Sequence, residues 1–166
     1  MAGRHRRGAQ RGVPAGRVAV SVAAVGLGAI QLAGVAAAAP TGTATVGGTP
    51  CTDARIKACV DLSENRAWLL DGHGNVVHGP VANSHGAEGH ETPPGDYIIQ
   101  RKERYHVSRE YEGAEMPYSV FFDNEGRAFH GGDIDRQSAG CVRLEMDDAE
   151  RFFEHLDPND RVQIVP

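Results

Sequence analysis

From Ile56 the chain alternates. Ala58, Val60 and Leu62 interleave with Lys57, Cys59 and Asp61, the period-two pattern of a strand with one buried face. Such a strand needs partners that repeat its period, and the chain supplies them between turn-forming clusters. Arg66–Leu70 follows at once, and Asp71-Gly72-His73-Gly74-Asn75 turns into Val76–Val81. Asp96–Ile99 and Val120–Phe122 read as further strands. Asp123-Asn124-Glu125-Gly126 is a hairpin turn whose returning strand, Arg127–His130, sets His130 at a strand end. Arg161–Val165 closes the set. Arg101 to Glu115 is charged and reads as a surface loop, and Trp68 is expected in the core. Near the end the period changes. Ala149, Phe152, Phe153 and Leu156 fall at helical spacing, after a capping-box-like pair of Asp147 and Glu150. The pattern predicts a mostly β domain over residues 55–166, with one short C-terminal helix packed beside the sheet.

Ahead of that domain the composition is different. Arg4, Arg6, Arg7, Arg11 and Arg17 precede an uncharged run from Val18 to Ala39, with Ala-x-Ala at Ala36–Ala38 and Pro40 just after. This is the three-part layout of a secretory signal peptide, residues 1–38, with an uncleaved membrane anchor as the alternative. Export is therefore expected, with membrane contact only through this segment. Residues 39–54 read as a flexible linker. Removing the first 38 residues takes away five of the 17 basic residues and no acid, leaving 12 against 22 acidic ones. That surface argues against nucleic acid as a partner, and the chain is expected to act as a monomer.

An exported chain tolerates disulfides, and Cys51 and Cys59 lie close enough in sequence to form one. Cys141 is then left over as a free thiol. It lies in His130-Gly-Gly-Asp-Ile-Asp-Arg-Gln-Ser-Ala-Gly-Cys-Val-Arg-Leu144, downstream of a histidine. A thiol becomes a strong nucleophile as thiolate, and a nearby imidazole is the usual device for making it one. Gly140 permits a tight corner, at which the Gly140 and Cys141 main-chain N–H groups could hold an oxyanion. The alternative is a buried structural Cys and a loop His. His85, His90 and Glu91 lack a helical His-x-x-x-His or paired thiolates, so neither a metal nor a cofactor is expected.

His130-Gly131 followed by Ser138-Ala139-Gly140-Cys141-Val142-Arg143-Leu144 resembles the signature of the L,D-transpeptidase (YkuD-type) catalytic domain. Thr92-Pro93-Pro94-Gly95-Asp96-Tyr97 and Met116-Pro117-Tyr118-Ser119 are similar to further elements of that family. Two departures stand out. Ala139 occupies a position that often carries a second His, and the gap from His130 to Cys141 is short. The resemblance implies a β-sandwich-like fold over residues 55–166, with Arg101 to Glu115 in the region of a flap over the cleft. It implies Cys141 as nucleophile and His130 as base, with Gly140 and Ser138 supporting the turn. Gly131, Arg143 and Tyr118 are the substrate-binding candidates, Arg143 alternatively a surface cation and Tyr118 alternatively a core residue. The implied partners are peptidoglycan tetrapeptide stems at the cell wall. D-Ala would leave, and a neighbouring stem's amine would complete a 3→3 cross-link. Water as acceptor would give an L,D-carboxypeptidase instead. A papain-like or NlpC-type hydrolase fits less well, because only His155 follows Cys141 and it belongs to the helix. A non-catalytic wall-binding module would need no such His–Cys pair.

Overall fold

The computed structural model describes residues 44–110 and 113–166; the expected signal segment, residues 1–38, lies outside them. The elements are β1 (Ile56–Asp61), β2 (Arg66–Leu70), β3 (Val76–Ser84), β4 (Gly95–Ile98), β5 (Arg101–Val107), β6 (Glu115–Phe121), β7 (Ala128–Gly131), β8 (Val142–Leu144), α1 (Met146–His155) and β9 (Arg161–Val165). The mostly β architecture with one short helix is the expected one.

The strands form one sheet in the order β4-β9-β1-β2-β3-β8-β7-β6-β5. β3 serves two neighbours: Val76 to Ala82 pairs with β2, and Asn83 and Ser84 pair with β8. The sheet bends there into two halves. β4 and β5 lie at opposite edges, yet only Ile99 and Gln100 separate them in the chain. Two residues reach about 7 Å. The sheet must therefore curl until its edges meet, and the junction is tied on both sides. Ile99 N–H bonds Asp160 C=O at 2.9 Å, and Gln100 N–H bonds Phe121 C=O at 2.8 Å.

The curl encloses one core. Ala58, Val60, Leu69 and Ile164 from one half meet Val120, Phe129, Val142 and Leu144 from the other. Ala149, Phe152 and Leu156 of α1 join them, so the helical spacing in the sequence marks its buried face. Each such large apolar side chain stabilises the fold by roughly 1.5–3 kcal/mol when buried. A smaller cluster of Cys51, Ile56, Cys59 and Leu70 packs with half-buried Trp68 and Val46.

Three expectations are corrected. Arg101–Val107 is a strand and not a loop, paired with β6 from Arg101↔Phe121 to Val107↔Glu115. It is an edge strand, and edges favour charge over apolar alternation. α1 starts at Met146 after Glu145, with no side-chain cap; Asp147 lies inside its first turn and forms no capping box. The described end of the expected linker is packed and not flexible. Val46 N–H bonds Cys51 C=O at 2.9 Å, Thr49 is buried, and Cys51 forms a disulfide with Cys59 at a Cα–Cα distance of 6.0 Å.

Candidate active site

β7 and β8 run parallel, with Phe129 opposite Val142 and His130 opposite Arg143. The connection between them, residues 132–141, must carry the chain back along the sheet. It leaves β7 just after His130 and delivers Cys141 at the start of β8. Side chains two residues apart on a strand share a face, so Cys141 and Arg143 stand on the face that His130 occupies. The parallel register thus converts a separation of eleven positions into a diagonal pair. Cys141 is a free thiol.

His130 is 5% exposed, and its Nδ1 lies 2.9 Å from the Gly131 carbonyl oxygen. A carbonyl only accepts, so Nδ1 carries the proton and Nε2 presents its lone pair. Burial lowers the imidazole's pKa to about 4, opposed by the Gly131 carbonyl and reinforced by the nearby positive charge of Arg143. Burial also raises the Cys141 thiol, with Ala128 main-chain hydrogen bonding and Arg143 pulling the other way. Both groups are therefore neutral at rest. This favours general-base removal of the thiol proton during attack over a standing imidazolium–thiolate pair.

The turn that presents the sulfur is closed by Ser138. Its Oγ donates to the Cys141 carbonyl at 2.6 Å and accepts the Gly140 N–H at 3.1 Å. Gly140 has φ +109°, which favours glycine, and a Cβ there would lie 3.0 Å from Arg127 Nε, so that side chain would have to give way. The Ser138 bond corrects the expected oxyanion site, because the Gly140 N–H is already engaged. The turn's own bonds leave the Cys141 N–H unused among the described residues. Thr92 braces the corner from outside: its Oγ1 donates to Gly140 C=O at 2.8 Å and accepts Gly86 N–H at 3.0 Å. Ser138 N–H bonds His85 C=O at 2.9 Å, and Ala87 N–H bonds Ser138 C=O at 2.9 Å.

This geometry has counterparts. Residues 55–164 match the family model described as YkuD, L,D-transpeptidase catalytic domain. The chain belongs to that family. It is 31% identical to an L,D-transpeptidase from Stackebrandtia nassauensis, with 70% of this chain and 59% of that one covered at a TM-score of 0.64. An L,D-transpeptidase from Mycobacterium tuberculosis H37Rv shares the fold at 22% identity and TM-score 0.60, over 68% of this chain and 58% of that one. Another from Mycobacterium smegmatis does so at 18% and 0.60, over 68% and 59%. The chain spans less than two thirds of the length of these relatives. A search of curated proteins finds no match.

In this L,D-transpeptidase domain the remaining site candidates divide. Gly131 belongs to the site: its carbonyl orients His130, and a Cβ would lie 2.8 Å from Met146 Sδ. Arg143 lines the His130–Cys141 cavity, but its Nη1 donates to the Arg136 and Gln137 carbonyls at 2.9 and 3.1 Å. It clamps the connecting loop and pairs with no acid among the described residues. Tyr118 takes the second of its two expected places, packed against the core. Held at φ +57°, it packs its ring 5.9 Å from Phe153 on α1 and lines neither cavity beside Cys141.

Those two cavities meet at Cys141. The smaller, about 340 Å³, holds His130, Gly131 and Arg143. The larger, about 940 Å³, is walled by β5 and the Arg127 turn, with Arg101, Glu103 and His106 on its surface. Sequence reasoning passed over these β5 residues because a charged stretch read as a loop. Thr92 was visible only as part of a resemblance, with no sign of its bond to Gly140. Among the described residues no group of three or more His, Cys, Asp or Glu side chains is arranged to hold a metal ion.

Proposed function

We propose that this L,D-transpeptidase domain is an exported cysteine acyltransferase acting on peptidoglycan tetrapeptide stems. One observation carries the reading: His130 and Cys141 line one cavity, with Nδ1 engaged on Gly131 and Nε2 without a partner among the described residues. In the first step Nε2 takes the Cys141 proton as the sulfur attacks the carbonyl of the third, diamino-acid residue. The Cys141 N–H meets the oxyanion. As the tetrahedral species collapses, the carbon–nitrogen bond breaks, His130 returns its proton to the departing amine, and D-Ala leaves. A thioester remains on Cys141. An amine from a neighbouring stem then attacks it, forming a 3→3 cross-link and releasing the thiol. No cofactor takes part. The basic, apolar and Ala-x-Ala layout of residues 1–38 supports export to the wall.

Incubation with disaccharide-tetrapeptide, followed by mass spectrometry, tests this in the wild type and Cys141→Ala. Release of D-Ala with dimer formation by the wild type alone is the expected result. Release without dimer would assign a carboxypeptidase, and no release with His130 and Cys141 intact would overturn the reading.

A further inference from the structure

His130 lines only the smaller of the two cavities that meet at Cys141. The larger is lined by two other imidazoles, the exposed His90 and the half-buried His106. His106 reaches into it from β5, and its Nδ1 lies 2.6 Å from Glu103 Oε2. The bond holds the Glu103 carboxyl below its ordinary range, so it is an ionised acceptor. Nδ1 therefore carries a proton and the ring is fixed as in other carboxylate–imidazole pairs. Arg101 also pairs with Glu103, while its guanidinium lies 3.4 Å from the centroid of the Phe121 ring. His106 meets the same ring edge-on, at 5.0 Å and 83°. Among the described residues Nε2 has no hydrogen-bond partner, and the side chain is 21% exposed. Cys141 packs against the apolar cluster that contains Phe121 and Met116, and Met116 is the β-ladder partner of His106. The ring is thus anchored to the structure that carries the sulfur.

Two acyl transfers through one sulfur need a proton acceptor for each incoming nucleophile. His130 serves the thiol. An acceptor that arrives through the larger cavity meets His106 instead.

We propose that the Glu103–His106 pair is a second proton-transfer site, which takes the proton of a primary amine attacking the thioester from the larger cavity. The proposal rests on the transpeptidase reading above. The nitrogen lone pair forms a bond to the thioester carbonyl carbon, and Nε2 of His106 takes the N–H proton. The carbon–sulfur bond breaks with its electrons on Sγ, and the sulfur recovers that proton through water. An amide, a thiol and a neutral imidazole result. His106 acts as a catalytic residue and Glu103 as its positioning residue.

The experiment follows D-Ala release and dimer formation from disaccharide-tetrapeptide by the full chain in a single turnover. In His106→Gln the acyl-enzyme should accumulate, and the ratio of dimer formation to D-Ala release should fall at least tenfold. Added imidazole should restore part of that ratio in His106→Ala. Glu103→Gln, whose amide oxygen still accepts the Nδ1 proton, should keep most of the ratio, and Glu103→Ala should lose it. Should His106→Gln fail to fold, Glu103→Ala carries the same comparison. An unchanged ratio, or equal loss of both steps, would overturn the proposal. A wild type that releases no D-Ala would instead sink the transpeptidase reading and this proposal with it.

Discussion

Thr92 and Gly140, far apart in the chain, are joined by a 2.8 Å hydrogen bond from Oγ1 to the carbonyl, and Thr92 is 1% exposed. The hydroxyl serves both sides, since it also accepts Gly86 N–H. Thr92→Val keeps the shape but strands a buried donor and a buried acceptor, each worth about 1–3 kcal/mol. The expected result is a loss of about 2 kcal/mol or more in urea unfolding, with slower acylation of Cys141. Unchanged stability would mean that the brace contributes nothing.

Removing either member of the reacting pair should separate their roles. Cys141→Ala should gain no mass on incubation with a carbapenem acyl donor. His130→Gln should still be acylated, but about 10²- to 10⁴-fold more slowly, the usual loss when a general base is removed. Intact-protein mass spectrometry over time checks both.

The acid side of the acylation profile should report His130. Its pKa is lowered to about 4, so the rate should hold through mildly acidic pH and fall near 4, not near 6.5. The thiol is raised, so iodoacetamide alkylation of Cys141 should be slow at neutral pH and climb only in alkali. A fast alkylation plateau at pH 6 would establish an ion pair instead.

The same burial links folding to pH. The unfolded chain takes up the imidazole proton near 6.5, and the folded one only near 4. Between those values the unfolded state binds more protons, so stability rises with pH. The contribution, on the order of 3 kcal/mol, is complete above the unfolded value and lost as pH falls towards 4. Urea midpoints at pH 7 and 4.5 should therefore drop further for the wild type than for His130→Gln.

The disulfide should matter to the fold and not to the chemistry. Cys51 and Cys59 lie in the smaller apolar cluster, and neither lines a cavity beside Cys141. Closing eight residues of chain, as this bond does, is worth about 2–3 kcal/mol. The double Ser variant should lose that much stability while Cys141 acylation stays within about twofold.

How far the sequence could be read depended on how local each cause was. The alternation at Ala58, Val60 and Leu62 is a local record of one buried face, and it located β1. β5 left no such record, because Arg101 and Glu103 line a polar cleft while Lys102 and Arg104 lie over Phe153 and pair with Asp157 and Glu150, so it carries charges on both sides. Asp147 looked like a cap, but capping is decided by where the backbone turns, and it turns at Glu145. His130, Ser138, Gly140 and Cys141 could be found because one short loop holds them. Which N–H remains for an oxyanion depends on the rotamer of Ser138, and no spacing encodes that. Tyr118 lies in a recognisable tetrapeptide, yet its left-handed backbone turns it towards α1. His106 reaches the site only through the pairing of β5 with β6, a relationship between distant stretches.

The two-residue junction at Ile99 and Gln100 has a mechanical consequence. A ribbon stitched to its own far margin cannot unzip from that margin, so the stitch fixes the Arg101 end of β5, while the Val107 end is held through its pairing with β6. Any change in the width of the cleft along β5 then has to come from the end away from the stitch.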